Sequence, residues 1–263
     1  MTRPKTRFCL GNHLPRGLRD RLFGDRETHG PLPIATDADW LEWERRAMEI
    51  YLATQTKGLG LIINHAEYRV MGRVELAGKR VLEVGPGRIG HHVYWPSLPA
   101  QYTLADRRQD MLDDSRDILE AAGVTVETHL MTGADAGLPC PDASFDVLVS
   151  FNSFEHLYPF RGYLEEMLRV LKPGGQIVGG IPAEGGLAWG AGRFLTTRRW
   201  FRKHTSIDLD KVICWEHPNF ANTVLAELDA VMEREHLNFW PFHVRSIDLN
   251  AAITFVYRKA VMG

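Results

Sequence analysis

The stretch that most constrains the fold runs from residue 81 to residue 90 and reads Val-Leu-Glu-Val-Gly-Pro-Gly-Arg-Ile-Gly. Its apolar first half predicts a buried strand, and its glycines allow a tight turn in which the backbone comes close to a ligand. Such a unit is typical of open α/β sheets, which bind ligands at the carboxyl ends of their strands. We therefore expect a sheet of this kind with a nucleotide-type site beside the turn.

The spacing Gly85-x-Gly87-x-x-Gly90 also matches the dinucleotide fingerprint, which predicts an NAD(P)-dependent oxidoreductase. Glu83 argues against that interpretation, because strand alternation directs it toward the turn, where a carboxylate repels a pyrophosphate and suits an ammonium group. Residues 91–95 are bulky and occupy the first turn of the expected helix, where a dinucleotide enzyme needs close packing. The NAD(P) enzyme therefore stays as the alternative.

Length and composition bound the organisation of the chain. Its 263 residues, 44% of them hydrophobic, can bury one large core with an appendage. The formal net charge of −2 gives no bulk attraction to nucleic acid or to an anionic membrane, so neither is an expected partner. The sequence contains no apolar run of membrane-spanning length and no signal-peptide core, which predicts a soluble, cytoplasmic protein. Cys9, Cys140 and Cys214 form no C-x-x-C pair, so we predict free thiols and no metal site.

From residue 81 onward, strand and helix signals alternate, which is the pattern of a sheet with helices on both faces. Strands are predicted at about 81–84, 102–105, 124–130, 145–151, 176–181, 239–244 and 252–257. Helices are predicted at about 109–122, 163–171 and 219–236. The last two strands are close enough for an antiparallel hairpin. The prediction is an α/β fold with a doubly wound, mostly parallel seven-stranded sheet and an antiparallel C-terminal hairpin.

Two segments lie outside this alternation. Residues 1–75 are predicted to form an arm and two helices, near 36–51 and 64–74, the first opened by a capping box of Thr36 and Asp39. Residues 183–217 follow the fifth strand and are too long for an ordinary connection. We therefore predict an N-terminal extension over 1–75 and a catalytic domain over 76–263 that contains a cap-like insertion.

Further motifs follow the glycine turn in a fixed order. They are Ala105-Asp106, Met111-Leu112, Gly133-Ala134-Asp135, Leu138-Pro139, Ser144-Phe145-Asp146, Glu155-His156-Leu157 and the run from Arg169 to Gly175. With the turn, they make residues 79–182 resemble the class I S-adenosylmethionine-dependent methyltransferases that act on small molecules. The resemblance implies the Rossmann-like methyltransferase fold, S-adenosyl-L-methionine as cofactor and methyl transfer as the reaction.

The resemblance also implies a set of cofactor-binding residues. They are Glu83, Gly85, Pro86, Gly87, Asp106, Arg107, Met111, Ala134, Asp135, Ala136 and Asn152. Among them, Glu83 is expected to hold the ammonium group, Asp106 the ribose hydroxyls and Asp135 the adenine amino group. The chain departs from the family pattern at Gly90, one residue later than the family's third glycine, and at Arg108, where a small hydroxyl residue is common.

The acceptor side is inferred from residue types. Displacement at a carbon activated by a sulfonium mainly needs alignment of the acceptor lone pair, so a general base is optional. His156 is the best candidate base, with a role in fixing its loop as the alternative. The insertion mixes cations with aromatic rings, which favours a small anionic acceptor. A solvated helix face is the alternative, and RNA is a further one that the net charge disfavours. The expected reaction is methyl transfer to an O or N atom of this small, possibly anionic, acceptor. The predicted acceptor-binding residues are Arg198, Arg199, Arg202 and His217.

Because a base is optional, the sequence also leaves a third hypothesis open. A non-catalytic protein could keep the cofactor pocket on the same fold. Tight binding of S-adenosylhomocysteine without turnover would support it. Selective binding of nicotinamide cofactors would instead support the oxidoreductase.

Overall fold

The computed structural model describes residues 9–55, 58–131 and 137–261. Its strands are β1 (Arg80–Val84), β2 (Gln101–Asp106), β3 (Val126–Leu130), β4 (Phe145–Phe151), β5 (Leu171–Pro182), β6 (Glu233–Trp240) and β7 (Ala252–Arg258). They form a seven-stranded sheet in the order β3-β2-β1-β4-β5-β7-β6. The pairs among β1 to β5 are parallel, whereas β7 pairs antiparallel with both β5 and β6. The mostly parallel sheet with an antiparallel C-terminal hairpin is thereby confirmed.

The helices lie before, between and after these strands. They are α1 (Arg16–Phe23), α2 (Arg26–His29), α3 (Ala38–Gln55), α4 (Gly58–Tyr68), α5 (Gln109–Ala121), α6 (Phe160–Val170), α7 (Leu187–Leu195), α8 (Thr197–His204), α9 (Leu209–Glu216) and α10 (Ala221–Val231). Short 3-10 helices occupy Gly11–His13, Arg69–Arg73 and His91–Tyr94.

Each face of the sheet carries its own hydrophobic core, because successive residues of a strand point to opposite faces. In β4, Leu148 packs in one core and Val147 in the other. Leu164 of α6 and Leu228 of α10 complete the first core, and Leu112 of α5 belongs to the second. The doubly wound arrangement therefore follows from a central strand that is apolar at nearly every position.

Three predicted local features differ from the structure. The bulky residues after Gly90 form only the 3-10 helix His91–Tyr94 rather than the start of an α-helix. The predicted helix over 219–236 ends at Val231, because residues 233–240 pair with β7 as a strand. Helix α3 is capped by Asp37 rather than Thr36: its carboxylate accepts from the backbone N–H groups of residues 39 and 40 at 2.9 and 3.2 Å. Pairing with β7 thus overrides the helical pattern of residues 233–236.

The predicted N-terminal extension and insertion pack against each other, and α1–α3 with α7–α9 are called the helical layer below. Trp40 of α3 meets Trp215 of α9 edge to face, with ring centroids 5.9 Å apart. The Lys211 ammonium lies 2.7 Å from carboxylate oxygens of both Asp37 and Asp39. Two segments distant in sequence therefore assemble one structure. Within the described ranges, no helix is both long enough and apolar enough to cross a membrane.

Candidate active site

The glycine turn lies at the switch point of the sheet, where β1 has β2 on one side and β4 on the other. Gly85 has φ +67°, and a Cβ atom there would lie 2.2 Å from Oγ of Ser153. That hydroxyl donates to the carbonyl oxygen of Gly85 at 2.8 Å, which joins the turn to the loop after β4. Gly87 also has positive φ, at +52°. The turn therefore requires glycine and presents its backbone in the crevice where ligands of such sheets bind.

Asp106 ends β2 beside this turn. Its carboxylate accepts from the backbone N–H of Arg108 at 2.9 Å and makes a longer contact of 3.4 Å with the N–H of Gly87. Burial raises the pKa of Asp106, although these hydrogen bonds oppose the shift. Of the other predicted contacts, Arg107 is exposed and Met111 is buried on α5. The predicted adenine contacts Ala134, Asp135 and Ala136 lie outside the described residues.

Glu83 is buried, and both of its carboxylate oxygens already have partners. One lies 2.9 Å from Nε2 of His91, and the other accepts from the Tyr102 hydroxyl at 2.8 Å. The Trp95 indole donates to Nδ1 of His91 at 3.0 Å, so Nδ1 is the acceptor and Nε2 carries the hydrogen that binds Glu83. The bulky residues after Gly90 thus satisfy a buried carboxylate. Direct contact between Glu83 and a ligand ammonium stays a prediction, and in this structure it would need a change of partners.

Asn152 follows β4 and contacts a residue that the sequence gave no role. With φ +50°, Asn152 donates from Nδ2 to Oε2 of Glu67 on α4 at 2.8 Å. Glu67 is completely buried, and its Oε1 has no hydrogen-bond partner among the described residues. Burial raises the pKa of Glu67 to about 8, the Asn152 hydrogen bond opposes the shift and the charge of Glu155 adds to it. A signal existed in the sequence: position 67 shares a helix face with the apolar positions 70 and 71.

His156 contacts the helical layer. Its Nδ1 lies 3.1 Å from Oε2 of Glu216 at the end of α9, and its Nε2 lies 3.7 Å from Oε1 of Glu155. Desolvation disfavours its charge even though 37% of the side chain is exposed, but Glu216 and Glu155 outweigh this and raise the pKa of His156 to about 9. A histidine that is protonated at neutral pH is a poor general base. The environment therefore argues against the base role and favours the alternative, that His156 fixes its loop.

His217 and Arg193 are bound to one buried carboxylate. Glu184, just after β5, accepts from the Arg193 guanidinium, from Nε1 of Trp189 at 3.0 Å and from Nδ1 of His217 at 2.9 Å. Burial alone would raise the pKa of Glu184, but Arg193 and His217 hold it well below its usual range. The same carboxylate thus anchors both the start and the end of the insertion. The role of His217 toward an acceptor stays a prediction.

The three predicted acceptor-binding arginines do not converge. Arg198 is buried and paired with Asp210, whereas Arg199 and Arg202 are exposed on the same helix, α8. The helical period explains the difference, because neighbouring positions of a helix point in different directions. The alternative of a partly solvated face therefore describes Arg199 and Arg202 better.

Comparison with known proteins shows which sequences the central part of this chain resembles. Residues 82–179 match the model of a methyltransferase domain. A fatty-acid O-methyltransferase of Mycolicibacterium smegmatis is 39% identical over 106 residues, which cover 39% of this chain and 37% of that protein. A phthiotriol/phenolphthiotriol dimycocerosates methyltransferase of Mycobacterium tuberculosis is 36% identical over 119 residues, or 41% of this chain and 39% of that protein. The similarity spans about two fifths of these relatives' length.

Solved structures share the fold over more of the chain. The N-methyltransferase NodS of Bradyrhizobium japonicum, in complex with S-adenosyl-L-homocysteine, aligns with a TM-score of 0.56 and 15% identity, covering 85% of this chain and 99% of that one. The [4+2]-cyclase SpnF aligns with a TM-score of 0.50 and 16% identity, covering 89% of this chain and 91% of that one. The different reactions in these names illustrate that a shared fold does not determine the chemistry.

Proposed function

We propose that this chain, which over residues 82–179 belongs to the class I S-adenosylmethionine-dependent methyltransferases, transfers the methyl group of S-adenosyl-L-methionine to an oxygen or nitrogen atom of a small acceptor. The observation that carries the proposal is the glycine turn at the switch point, with Asp106 on one side and Ser153 on the other. This is the crevice in which open α/β sheets bind ligands.

The residues present fit this cofactor. Gly85 and Gly87 leave their backbone without side chains, which suits the methionine part, and Asp106 offers carboxylate oxygens for two ribose hydroxyls. Met111, Arg107 and residues 134–136 are proposed for the adenine side, as the family resemblance implies. When bound, the cofactor supplies a methyl carbon activated by a positively charged sulfur.

The chain's contribution to the reaction is mainly positional. Holding the acceptor lone pair in line with the methyl carbon can supply about 7–11 kcal/mol of the barrier reduction. We propose that the helical layer excludes water and that residues 183–217 act as a cap within it. Their anchoring through Glu184 and the contact of His156 with Glu216 support that assignment.

The acceptor we propose carries an O–H or N–H group and is not a free anion. The arginines expected to bind an anion are divided between the interior and the solvent. Buried carboxyl groups, Glu67 and Glu155, lie at the end of β4 instead. The name of the fatty-acid relative makes a carboxylate oxygen the rival class to be tested.

Calorimetry and a transfer assay test this proposal. We expect the purified chain to bind S-adenosylhomocysteine and not NADH or NADPH, and to transfer tritiated methyl to at least one alcohol, phenol or amine. Failure to bind S-adenosylhomocysteine would contradict the cofactor assignment. Binding without transfer across alcohols, phenols, amines and fatty acids would indicate a non-catalytic protein, and transfer to fatty acids alone would replace the acceptor class.

A further inference from the structure

Two buried carboxyl groups at the end of β4 have no assigned role. Glu67 comes from α4 and is fully buried; Glu155 comes from the loop after β4 and is 3% exposed. Oε1 of Glu67 and Oε2 of Glu155 both lack a hydrogen-bond partner among the residues that the structure describes. Buried polar atoms are nearly always hydrogen-bonded in folded proteins. Two such oxygens from different segments therefore point to a polar ligand that binds between α4 and this loop.

Glu67 is connected to the glycine turn by two consecutive residues. Asn152 donates to the Glu67 carboxylate, and the next residue, Ser153, donates to the Gly85 carbonyl oxygen. The backbone N–H of Asn152 is itself fixed by the Gly180 carbonyl oxygen at 2.9 Å. The carboxyl group thus lies on the acceptor side of the proposed cofactor site, a short hydrogen-bonded path from the turn.

Uncharged residues of β4 and β5 lie close to Glu67. A Cβ atom on Gly180 of β5 would lie 3.2 Å from the Glu67 carboxyl carbon and 3.2 Å from the ring of Phe151 of β4. Glu155 is the ionisable side chain whose charge acts on Glu67, and Glu155 in turn faces His156 at 3.7 Å. The charge of His217 also lowers the pKa of Glu155, and the charge of Glu184 raises it. An acid in such a setting keeps its proton at neutral pH, because burial and a neighbouring carboxyl both disfavour its charge.

We propose that Glu67, with Glu155 beside it, holds the O–H or N–H group of the acceptor and accepts its proton during methyl transfer. This inference rests on the proposed function. As the acceptor atom bonds to the methyl carbon, the carbon–sulfur bond breaks and its electron pair stays on sulfur. The acceptor's proton passes to the ionised Glu67 carboxylate, which becomes a neutral acid and later returns the proton to water.

The proposal predicts a distinctive dependence on pH. Only the ionised form of Glu67 accepts a proton, so kcat should rise with pH through about 8, where this carboxyl titrates. A merely structural Glu67 would affect stability without producing such a limb in the profile.

The test compares Glu67→Gln, Glu67→Asp and the control Glu120→Gln, an exposed acid on α5. Tritiated methyl transfer to the best hydroxyl or amine acceptor is followed from pH 6 to pH 10, and S-adenosylhomocysteine affinity is measured calorimetrically. We expect Glu67→Gln to lower kcat at pH 8.5 by about 100-fold or more and to lose the rising limb, with the affinity within about threefold of wild type. Glu67→Asp should keep the limb at reduced kcat, and Glu120→Gln should behave as wild type.

Two results would overturn the proposal alone while wild-type transfer persists. One is an unchanged kcat and pH limb in Glu67→Gln. The other is a loss of S-adenosylhomocysteine affinity that accounts for the loss of rate, which would assign Glu67 to the cofactor ammonium group. Wild-type protein that transfers methyl to no acceptor would instead overturn the proposed function and this inference with it.

Discussion

The glycine-turn region and the helical layer find partners for their carboxylates in different ways. Around the turn, Glu83 binds His91 and Tyr102, which lie within 20 residues of it along the chain. In the layer, Lys211 pairs with Asp37 across 174 positions, and Glu216 accepts from Trp43 across 173. The partners of Glu83 thus lie close to it along the chain, although they belong to separate elements. The helical layer exists only when distant segments meet, so we expect changes within it to leave the contacts of the glycine turn intact.

The largest change in stability is expected at Glu184, the carboxylate that anchors the helical layer. Glu184→Gln removes a buried carboxylate from the half-buried Arg193 and His217, and should lower the free energy of unfolding by about 3–5 kcal/mol in urea. S-adenosylhomocysteine affinity should stay close to wild type if the two regions are independent. Glu165→Gln, which breaks an exposed pair with Arg161, should leave the transition unchanged. A loss below about 1 kcal/mol for Glu184→Gln would contradict the anchoring role.

The stability of the region around the glycine turn should depend on pH through Glu67 of α4, which is joined to the turn by Asn152 and Ser153. The pKa of Glu67 is raised by burial from 4.5 to about 8, so between these values the folded state keeps a proton that the unfolded state has lost. Stability therefore falls as pH rises, by about 1.4 kcal/mol per unit, or about 2–3 kcal/mol from pH 6 to pH 8. Unfolding of Glu67→Gln should lack this contribution. If the free energy of unfolding changed with pH in the same way for the variant and the wild type, Glu67 would not titrate in this range.

Cofactor binding should respond to a substitution of Asp106, which lies beside the glycine turn. Asp106→Ala removes the carboxylate proposed for the ribose and should weaken S-adenosylhomocysteine binding by about 1–3 kcal/mol in calorimetry. The neighbouring Asp110 pairs with Arg108 on the surface, so Asp110→Ala is the matched control and should leave the affinity unchanged. Equal affinities for both variants would exclude Asp106 from the site.

The smallest effects are expected for the two exposed arginines of helix α8, in contrast to the buried Arg198 of the same helix. Arg198→Gln removes a buried guanidinium from Asp210 and should lower the free energy of unfolding by about 1–3 kcal/mol. Arg199→Gln and Arg202→Gln alter exposed side chains and should change neither stability nor the Michaelis constant of the acceptor. An increase in that constant for either variant would restore the anionic acceptor that the sequence suggested.

Elements with strong local patterns could be predicted closely. Strand β4 was expected at the residues where it occurs, and α5 ends one residue before its expected end, because an apolar run and a terminal glycine carry that information locally. The boundary between α10 and β6 was missed because residues 233–236 are strand only through pairing with β7. The partners of Glu83 and Glu67 were missed for the same reason, since hydrogen bonds between separate elements leave no periodic signal. Which arginine of α8 is buried depends likewise on Asp210.

The hydrogen bond from Ser153 to the Gly85 carbonyl oxygen has a thermodynamic consequence. It connects the backbone proposed to contact the first substrate, S-adenosyl-L-methionine, with the loop that carries Asn152. Asn152 in turn binds Glu67, which is proposed to hold the second substrate, the acceptor. If the first substrate orders this turn, the second should find its partners already in place and bind more tightly. Reciprocity then requires each substrate to strengthen the binding of the other by the same factor. The two substrates should therefore bind with positive cooperativity, and removing the Ser153 hydroxyl should reduce it.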